Sequence, residues 1–177
     1  MTTIKKTDFI DSIADSLQYI SYYHPLDFVK AMHGAYEKEK NKAAKDAIGQ
    51  ILINSKMAAI GKRPICQDTG IVNVFIKIGT NCKFDSEESI QEMVDEGVRR
   101  AYKNQDNPLR MSVVAGPATD RKNTKDNTPA IVYTEIVPGN TLDVHIAAKG
   151  GGSENKSKCA MLNPNDSIVE WVKKTVP

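Results

Sequence analysis

Apolar residues recur at helical spacing through most of the first 60 positions. In the first such stretch, Phe9, Ile13 and Leu17 fall on one side, and Pro25 interrupts the pattern because the residue before a proline avoids helical geometry. Gly61 fits the C-cap of the last stretch. The predicted inward faces of the second and third helices are Phe28, Val29, Met32 and Tyr36, and Ile48, Ile51, Leu52, Ser55 and Ala59. The sequence therefore predicts three N-terminal helices, over residues 7–20, 26–40 and 43–60.

The pattern changes after residue 60 to short β-branched runs. Residues 71–78 predict a strand buried on most of both faces. Around it we predict a fourth helix from Asp85 or Ser86 to Lys103, a short strand at 109–115, a polar loop at 116–129, a hairpin of 130–137 with 141–148, and a last helix from Asn165 or Asp166. The predicted fold class is mixed α/β (α+β). N-terminal helices precede short mixed sheets flanked by helices, in a single domain over residues 1–177.

Charge and composition narrow the function classes. The 177 residues hold 24 Lys and Arg against 22 Asp and Glu, a net charge of +2, which is too balanced to favour nucleic acid or an acidic membrane surface. No apolar run approaches the ~18 residues of a membrane span, and the N-terminus lacks a secretory signal. A cytoplasmic protein is expected. Its three cysteines are odd in number and widely spaced, which argues against a disulfide framework and a local metal motif.

Four consecutive polar residues, Cys66 to Thr69, precede the strand at 71–78. Such a loop at the end of a rigid element is a common place for functional groups. Cys66 is a candidate metal ligand if its thiolate is stabilised, or an inert thiol in a turn. Asp68 is a candidate catalytic base or substrate anchor, or a turn cap before Gly70. We expect no functional role for Cys82 and Cys159.

A second polar stretch, residues 149–158, contains three successive glycines that let backbone N–H groups approach a ligand. It does not match the phosphate-binding GxxxxGK[ST] pattern, so nucleotide binding is weakly supported. Arg110 is a candidate clamp for a carboxylate, or one half of a surface ion pair. From residues alone we expect both polar stretches to face a common space that suits a small anion, and no reaction is defined.

Four segments together resemble one enzyme family. The chain resembles the class I (iron–sulfur) fumarate hydratases and the related two-subunit tartrate dehydratases, with the motifs in the expected order. They are Ile65-Cys-Gln-Asp-Thr-Gly70, Asn107-Pro-Leu-Arg110, Arg121-Lys-Asn-Thr124 with Asp126-Asn-Thr-Pro129, and Lys149-Gly-Gly-Gly-Ser-Glu-Asn-Lys156.

The resemblance implies reversible hydration of fumarate to (S)-malate on a [4Fe–4S] cluster with one open iron. It implies Cys66 as the first cluster ligand, and Gln67, Asp68 and Arg110 as substrate-binding residues, with Asp68 also a candidate catalytic carboxylate. A small dicarboxylate substrate and a homodimeric full protein are implied as well. The glycine stretch would close over cluster and substrate through Gly151, Gly152, Ser153, Glu154, Asn155 and Lys156.

The chain departs from the family pattern in its cysteines. The family's second cluster cysteine follows a Lys-Thr-Val-Pro segment, and this sequence ends on those residues, Lys174 to Pro177. We therefore expect an N-terminal part of a longer enzyme, lacking its C-terminal domain, which alone binds no cluster and is inactive because one thiolate cannot hold four irons. The alternatives are a tartrate dehydratase alpha-type subunit and a stand-alone anion- or nucleotide-binding module.

Overall fold

The computed structural model describes residues 1–66, 69–150 and 158–176, and these form a mixed α/β fold. The predicted fold class, with its three N-terminal helices, is confirmed. The helices are α1 (Lys6–Tyr22), α2 (Leu26–Lys38), α3 (Lys42–Gly61), α4 (Ile90–Tyr102) and α5 (Ile168–Thr175). The strands are β1 (Thr2–Ile4), β2 (Ile71–Gly79), β3 (Cys82–Phe84), β4 (Val114–Ala115), β5 (Lys122–Asn123), β6 (Ile131–Val137) and β7 (Leu142–Lys149).

The main sheet has β2 at its centre, with β6 parallel to it on one side and β7 antiparallel on the other. The predicted hairpin of 130–137 with 141–148 is therefore wrong, because β2 lies between the two strands. The link between them crosses the end of β2, where the Gly79 amide donates to the Thr141 carbonyl at 2.9 Å. A Cβ on Gly79 would lie only 2.7 Å from the backbone of Gly139. Turn residues predicted the link, but they do not indicate which strands pair.

β2 is buried on one face only. The prediction that residues 71–78 form a strand buried on most of both faces is therefore wrong. Val72, Val74 and Ile76 are buried, whereas Phe75 and Lys77 point to the opposite face and are exposed. On that outer face Phe75 stacks on Tyr133 of β6, with ring centroids 5.0 Å apart and planes 8° apart. No described helix covers these two rings, so the β-branched composition of β2 reflects its central position in the sheet.

The core lies between the inner face of the main sheet and two helices. Its members from α1 and α4 include Phe9, Ile10, Ile13, Leu17, Met93, Val94, Val98 and Ala101. α4 begins later than predicted because Ser89 and Glu92 form a capping box: the Ser89 hydroxyl accepts from the Glu92 amide at 3.2 Å, and the Glu92 carboxylate accepts from the Ser89 amide at 2.8 Å. This cap fixes the register with which α4 presents its apolar face to the sheet.

α2 and α3 pack on each other at the edge of the core. The predicted inward faces are confirmed as half-buried or buried, except that Phe28 and Ile51 are exposed. The C-cap of α3 is Lys62, one residue after the predicted Gly61, and its φ of 46° is left-handed. Among the described residues, no helix has the length and apolar content needed to cross a bilayer.

The remaining differences concern short elements. Of the strand predicted at 109–115, only β4 pairs, and its partner β5 lies inside the segment predicted as loop. β3 was not predicted and pairs in parallel with β1. α5 begins after a Ser167 cap, two residues later than Asp166. Two- and three-residue strands leave little periodicity in a sequence, which is why these pairings were missed.

Candidate functional site

Cys66 and Arg110 line one surface cavity. They are 44 positions apart in the chain, yet both border an opening of about 310 Å³. The Cys66 side chain is exposed, and the Arg110 side chain is exposed as well. The other lining residues are Pro64, Thr69 and Pro108. The two chemically active residues predicted from separate segments are therefore brought together.

The residue before Cys66 is anchored on both sides. The Ile65 amide donates to the carbonyl of Ser21 at the end of α1, at 2.8 Å. The Ile65 carbonyl accepts from the Asn54 side chain of α3, at 2.9 Å. The N-terminal helices thus hold the approach to Cys66, which explains why α1 and α3 matter to the site although they contribute no predicted site residue.

Thr69 joins the segment of Cys66 to that of Arg110. Its hydroxyl donates a short hydrogen bond to the Arg110 carbonyl, and its own carbonyl accepts from the Tyr102 hydroxyl at 3.1 Å. Tyr102 is completely buried. Burial raises the pKa of Tyr102 to about 12, so its hydroxyl keeps its proton and stays a donor at neutral pH.

Asn127 makes a second connection, one residue after Thr69 in the first segment and two to three residues after Arg110 in the second. Its Nδ2 donates to the Gly70 carbonyl at 3.0 Å, while its Oδ1 accepts from the amides of Ser112 at 2.7 Å and Val113 at 3.2 Å. The side chain is fully buried. Its backbone has a φ of 62°, a left-handed conformation that asparagine tolerates better than most residues.

Asp126 fixes the turn that presents Asn127. It accepts from the Thr128 amide at 3.1 Å and hydroxyl at 2.8 Å, and from the Arg99 Nε at 3.2 Å. Burial alone would raise the pKa of Asp126, but these hydrogen bonds outweigh burial and hold the pKa below its ordinary value. The carboxylate is therefore ionised at neutral pH and ties the turn to α4.

The described ends of the two polar stretches meet. Ile71 at the start of β2 pairs with Lys149 at the end of β7. Gly70 fits against this pair so closely that an added Cβ would overlap the Lys149 carbonyl. The predicted positions Gln67, Asp68, Gly151, Gly152, Ser153, Glu154, Asn155 and Lys156 lie outside the described residues. Because of this strand pairing, Gly70, which follows the first polar stretch, and Lys149, which begins the second, lie at the same corner of the sheet.

Cys82 lies away from this corner, and Cys159 is not among the residues that line the cavity. The Cys82 thiol donates to the Thr141 carbonyl at 3.4 Å, beyond the far end of β2, a strand whose nine residues span roughly 30 Å at about 3.3 Å each. Cys159 is exposed. Within residues 1–66, 69–150 and 158–176, no three His, Cys, Asp or Glu side chains converge in a way that would hold a metal ion.

Sequence reasoning missed Tyr102 and Asn127. Tyr102 fell in the last turn of a helix predicted to end at Lys103, and Asn127 was part of a motif without an individual role. A polar residue at an apolar helix position, and a four-residue Asp-Asn-Thr-Pro turn, were the available signals. Neither signal indicates which backbone groups the side chains reach.

The family model for fumarate hydratase (Fumerase) matches residues 10–177, nearly the whole chain. The chain belongs to the fumarate hydratase family. A Methanocaldococcus jannaschii protein assigned as L(+)-tartrate dehydratase subunit alpha is 36% identical over 163 residues, which is 89% of this chain and 56% of the relative. This membership confirms the resemblance that the four motifs indicated.

Two further members of this fumarate hydratase family differ in their names. Fumarate hydratase 2 of Leishmania major is 36% identical over 134 residues, covering 71% of this chain and 23% of that protein. The L(+)-tartrate dehydratase subunit alpha of Escherichia coli (strain UTI89 / UPEC) is 24% identical over 163 residues, covering 91% and 52% respectively. The chain thus spans about half the length, or less, of these relatives.

Proposed function

We propose that this chain supplies one wall of the active site of a hydro-lyase acting on a four-carbon dicarboxylate. The reaction would be the reversible addition of water to fumarate, giving (S)-malate, with the hydroxyl going to one alkene carbon and the proton to the other. The observation that carries the proposal is the shared cavity of Cys66 and Arg110 in a fumarate hydratase family chain. Family membership also favours this function over a stand-alone nucleotide-binding module.

Arg110 would bind one substrate carboxylate. Its guanidinium can donate two parallel hydrogen bonds to a carboxylate, a geometry that lysine cannot reproduce. Among the described residues, no Asp or Glu pairs with it. The surface ion pair that was the alternative role is therefore not seen among the described residues, and Arg110 lines the cavity, where its charge would attract an anion.

Cys66 would be a ligand of the iron–sulfur cluster that the family resemblance implies. The described residues fit only this single ligand position, because Cys82 lies at the other end of β2 and Cys159 is not among the residues that line the cavity. The remaining ligands would come from outside this chain. When bound, such a cluster supplies a Lewis acid that polarises the substrate's oxygen atoms. The chain's own part is to present the Cys66 thiolate beside the Arg110 anion site.

Asp68 and Gln67 would complete the contacts to the substrate. The resemblance assigns both to substrate binding, and Asp68 is a carboxylate able to hold or orient a proton beside the reacting carbons. They follow Cys66 directly, so the anchored Ile65 and the bonded Thr69 bracket them. A homodimeric assembly and a cytoplasmic location stay predictions from the sequence.

Tartrate dehydration is the second candidate function. It is favoured by the names of two of the relatives, both tartrate dehydratase alpha subunits. The two substrates differ by hydroxyl groups, and a site built to hydrogen-bond a hydroxyl discriminates strongly against a substrate that lacks it. Side-by-side assays with fumarate and tartrate therefore separate the candidates.

The anion site can be tested by titration calorimetry with fumarate, malate, tartrate and ATP under anaerobic, reducing conditions. We expect Arg110→Ala to weaken binding of the preferred dicarboxylate by about tenfold or more, since hydrogen bonds to charged groups contribute roughly 1.5–3 kcal/mol. Lys38→Ala, which removes a surface cation on α2, is the control and should leave the affinity unchanged. Unchanged affinity in Arg110→Ala, or preferential binding of ATP, would contradict the proposal.

A further inference from the structure

We propose that Asn127 and Tyr102 are positioning residues that hold the Cys66 segment (described residues 63–66 and 69–70) against the Arg110 segment (residues 107–113). Neither Asn127 nor Tyr102 is among the residues that line the Cys66–Arg110 cavity. The polar atoms of these side chains instead form hydrogen bonds with backbone groups of the two segments. For its effect on substrate binding, this inference rests on the proposed dicarboxylate site.

Asn127 connects both segments with a single amide group. Its donor reaches the Gly70 carbonyl, and its acceptor takes the amides of Ser112 and Val113, at distances from 2.7 to 3.2 Å. All three bonds end on main chain, two to four positions from the predicted site residues Cys66 and Arg110. A change in the orientation of this amide would therefore move both segments, and not only one.

Tyr102 also supports the junction between the Cys66 segment and the Arg110 segment. Its hydroxyl donates to the Thr69 carbonyl at 3.1 Å, and the Thr69 hydroxyl in turn bonds the Arg110 carbonyl. Phenylalanine would fill the same buried volume without this donor, leaving the Thr69 carbonyl one partner short. The hydroxyl thus orients the peptide that follows the predicted substrate-binding residues Gln67 and Asp68.

The arrangement is more specific than core packing requires. Fully buried polar groups are costly unless they are hydrogen-bonded, so a stable core could more simply use apolar residues here. Both side chains are instead fully buried, and both direct their polar atoms at the two segments that carry the candidate chemistry. A satisfied buried polar network fixes one geometry where apolar packing tolerates several.

The first test follows individual backbone amides by NMR in the 177-residue chain carrying Asn127→Ala or Tyr102→Phe. In Asn127→Ala the amides of Ser112 and Val113 lose their acceptor, so we expect their hydrogen exchange to accelerate about tenfold or more relative to amides of α4. In Tyr102→Phe we expect a displaced Gly70 amide resonance, because that peptide bond contains the Thr69 carbonyl. Wild-type exchange and an unmoved Gly70 resonance would overturn the proposal.

The second test separates positioning from stability by measuring the fumarate and tartrate dissociation constants. Ser89→Ala removes the α4 cap without touching the junction, and serves as a control of comparable destabilisation. We expect both junction variants to bind the preferred dicarboxylate about tenfold more weakly at a temperature where all variants are folded, with Ser89→Ala unchanged. Equal affinities in all variants would overturn the positioning role.

The two tests fail in different ways. If the wild-type chain binds neither dicarboxylate, the proposed function is contradicted, and the amide measurements still decide whether the two side chains hold the junction. If Asn127→Ala does not fold, Tyr102→Phe, which removes a single oxygen atom, decides alone. A normal Gly70 resonance in that variant, with normal dicarboxylate affinity, is then the overturning result.

Discussion

Replacement of Gly70 by alanine is expected to disrupt the corner of the sheet where the two polar stretches meet. Gly70 has a φ of 61°, and a Cβ at this position would overlap the Lys149 carbonyl and lie 2.7 Å from the Gly150 Cα. The obstacle is backbone that is itself held in the β2–β7 ladder, through the pairing of Ile71 with Lys149. The alanine therefore cannot be accommodated by a side-chain rotation.

The expected loss has two parts. A non-glycine residue in the left-handed region costs roughly 1–2 kcal/mol. Forcing extra volume into a packed position typically costs a further 1–3 kcal/mol, at about the level seen for overpacked cores. Together these amount to about 2–5 kcal/mol, a large share of the roughly 5–15 kcal/mol by which a domain is stable. We expect Gly70→Ala to lower the free energy of unfolding by this amount.

Gly116→Ala is the matched control, because it separates the two parts. Gly116 has a similar φ of 56°, but an added Cβ there meets only side-chain atoms, Thr119 Oγ1 and, at 2.8 Å, Asp120 Oδ1. These can rotate away, so the backbone part of roughly 1–2 kcal/mol should remain alone. Urea unfolding followed by circular dichroism measures both variants. Equal losses for Gly70→Ala and Gly116→Ala would refute the close approach at Lys149.

Two further predictions concern the packing and electrostatics of α4. Gly97→Ala places a Cβ 2.7 Å from the Ile13 Cβ. An overpacking cost of about 1–3 kcal/mol should therefore offset or exceed the roughly 1 kcal/mol gain in helix propensity. Gly34→Ala is the control, because it has open space around it and should show the gain alone in urea unfolding. A hydrogen bond from Arg100 lowers the pKa of Glu96, so this carboxylate stabilises the fold above its ordinary pKa and loses that effect as pH falls through the lowered value. Glu96→Gln should therefore lower the urea midpoint at pH 7 and show a smaller further decrease at about pH 3; the same acid dependence as wild type would contradict the assignment.

The helices were predictable because their signals are local. The apolar spacing of Phe9, Ile13 and Leu17 is sufficient to define α1, and residues 43–60 define α3 in the same way. The sheet order was not predictable from local signals. A Pro-Gly-Asn turn indicates a reversal of the chain at 138–140, but the entry of β2 between the two strands depends on its pairing with residues that are distant in the sequence.

The candidate site was also predictable only in part. Cys66 and Arg110 were found from their side-chain chemistry and from family motifs, and the structure brings them to one cavity. Tyr102 and Asn127 were missed because their importance lies in which backbone carbonyls and amides they reach. Their carbonyl partners lie 33 and 57 positions away in the chain, where no sequence period could indicate them.

The most direct test of the account is hydro-lyase activity in the complete natural protein, expressed anaerobically from its whole reading frame with any separately encoded partner subunit. Fumarate and tartrate are offered in parallel to the wild type, Cys66→Ser and Cys159→Ser. We expect the wild type and Cys159→Ser to convert one of the two substrates and Cys66→Ser to have lost that activity together with its bound iron. Full activity in Cys66→Ser would contradict the assignment of Cys66 as a cluster ligand, and with it the proposed role of this chain.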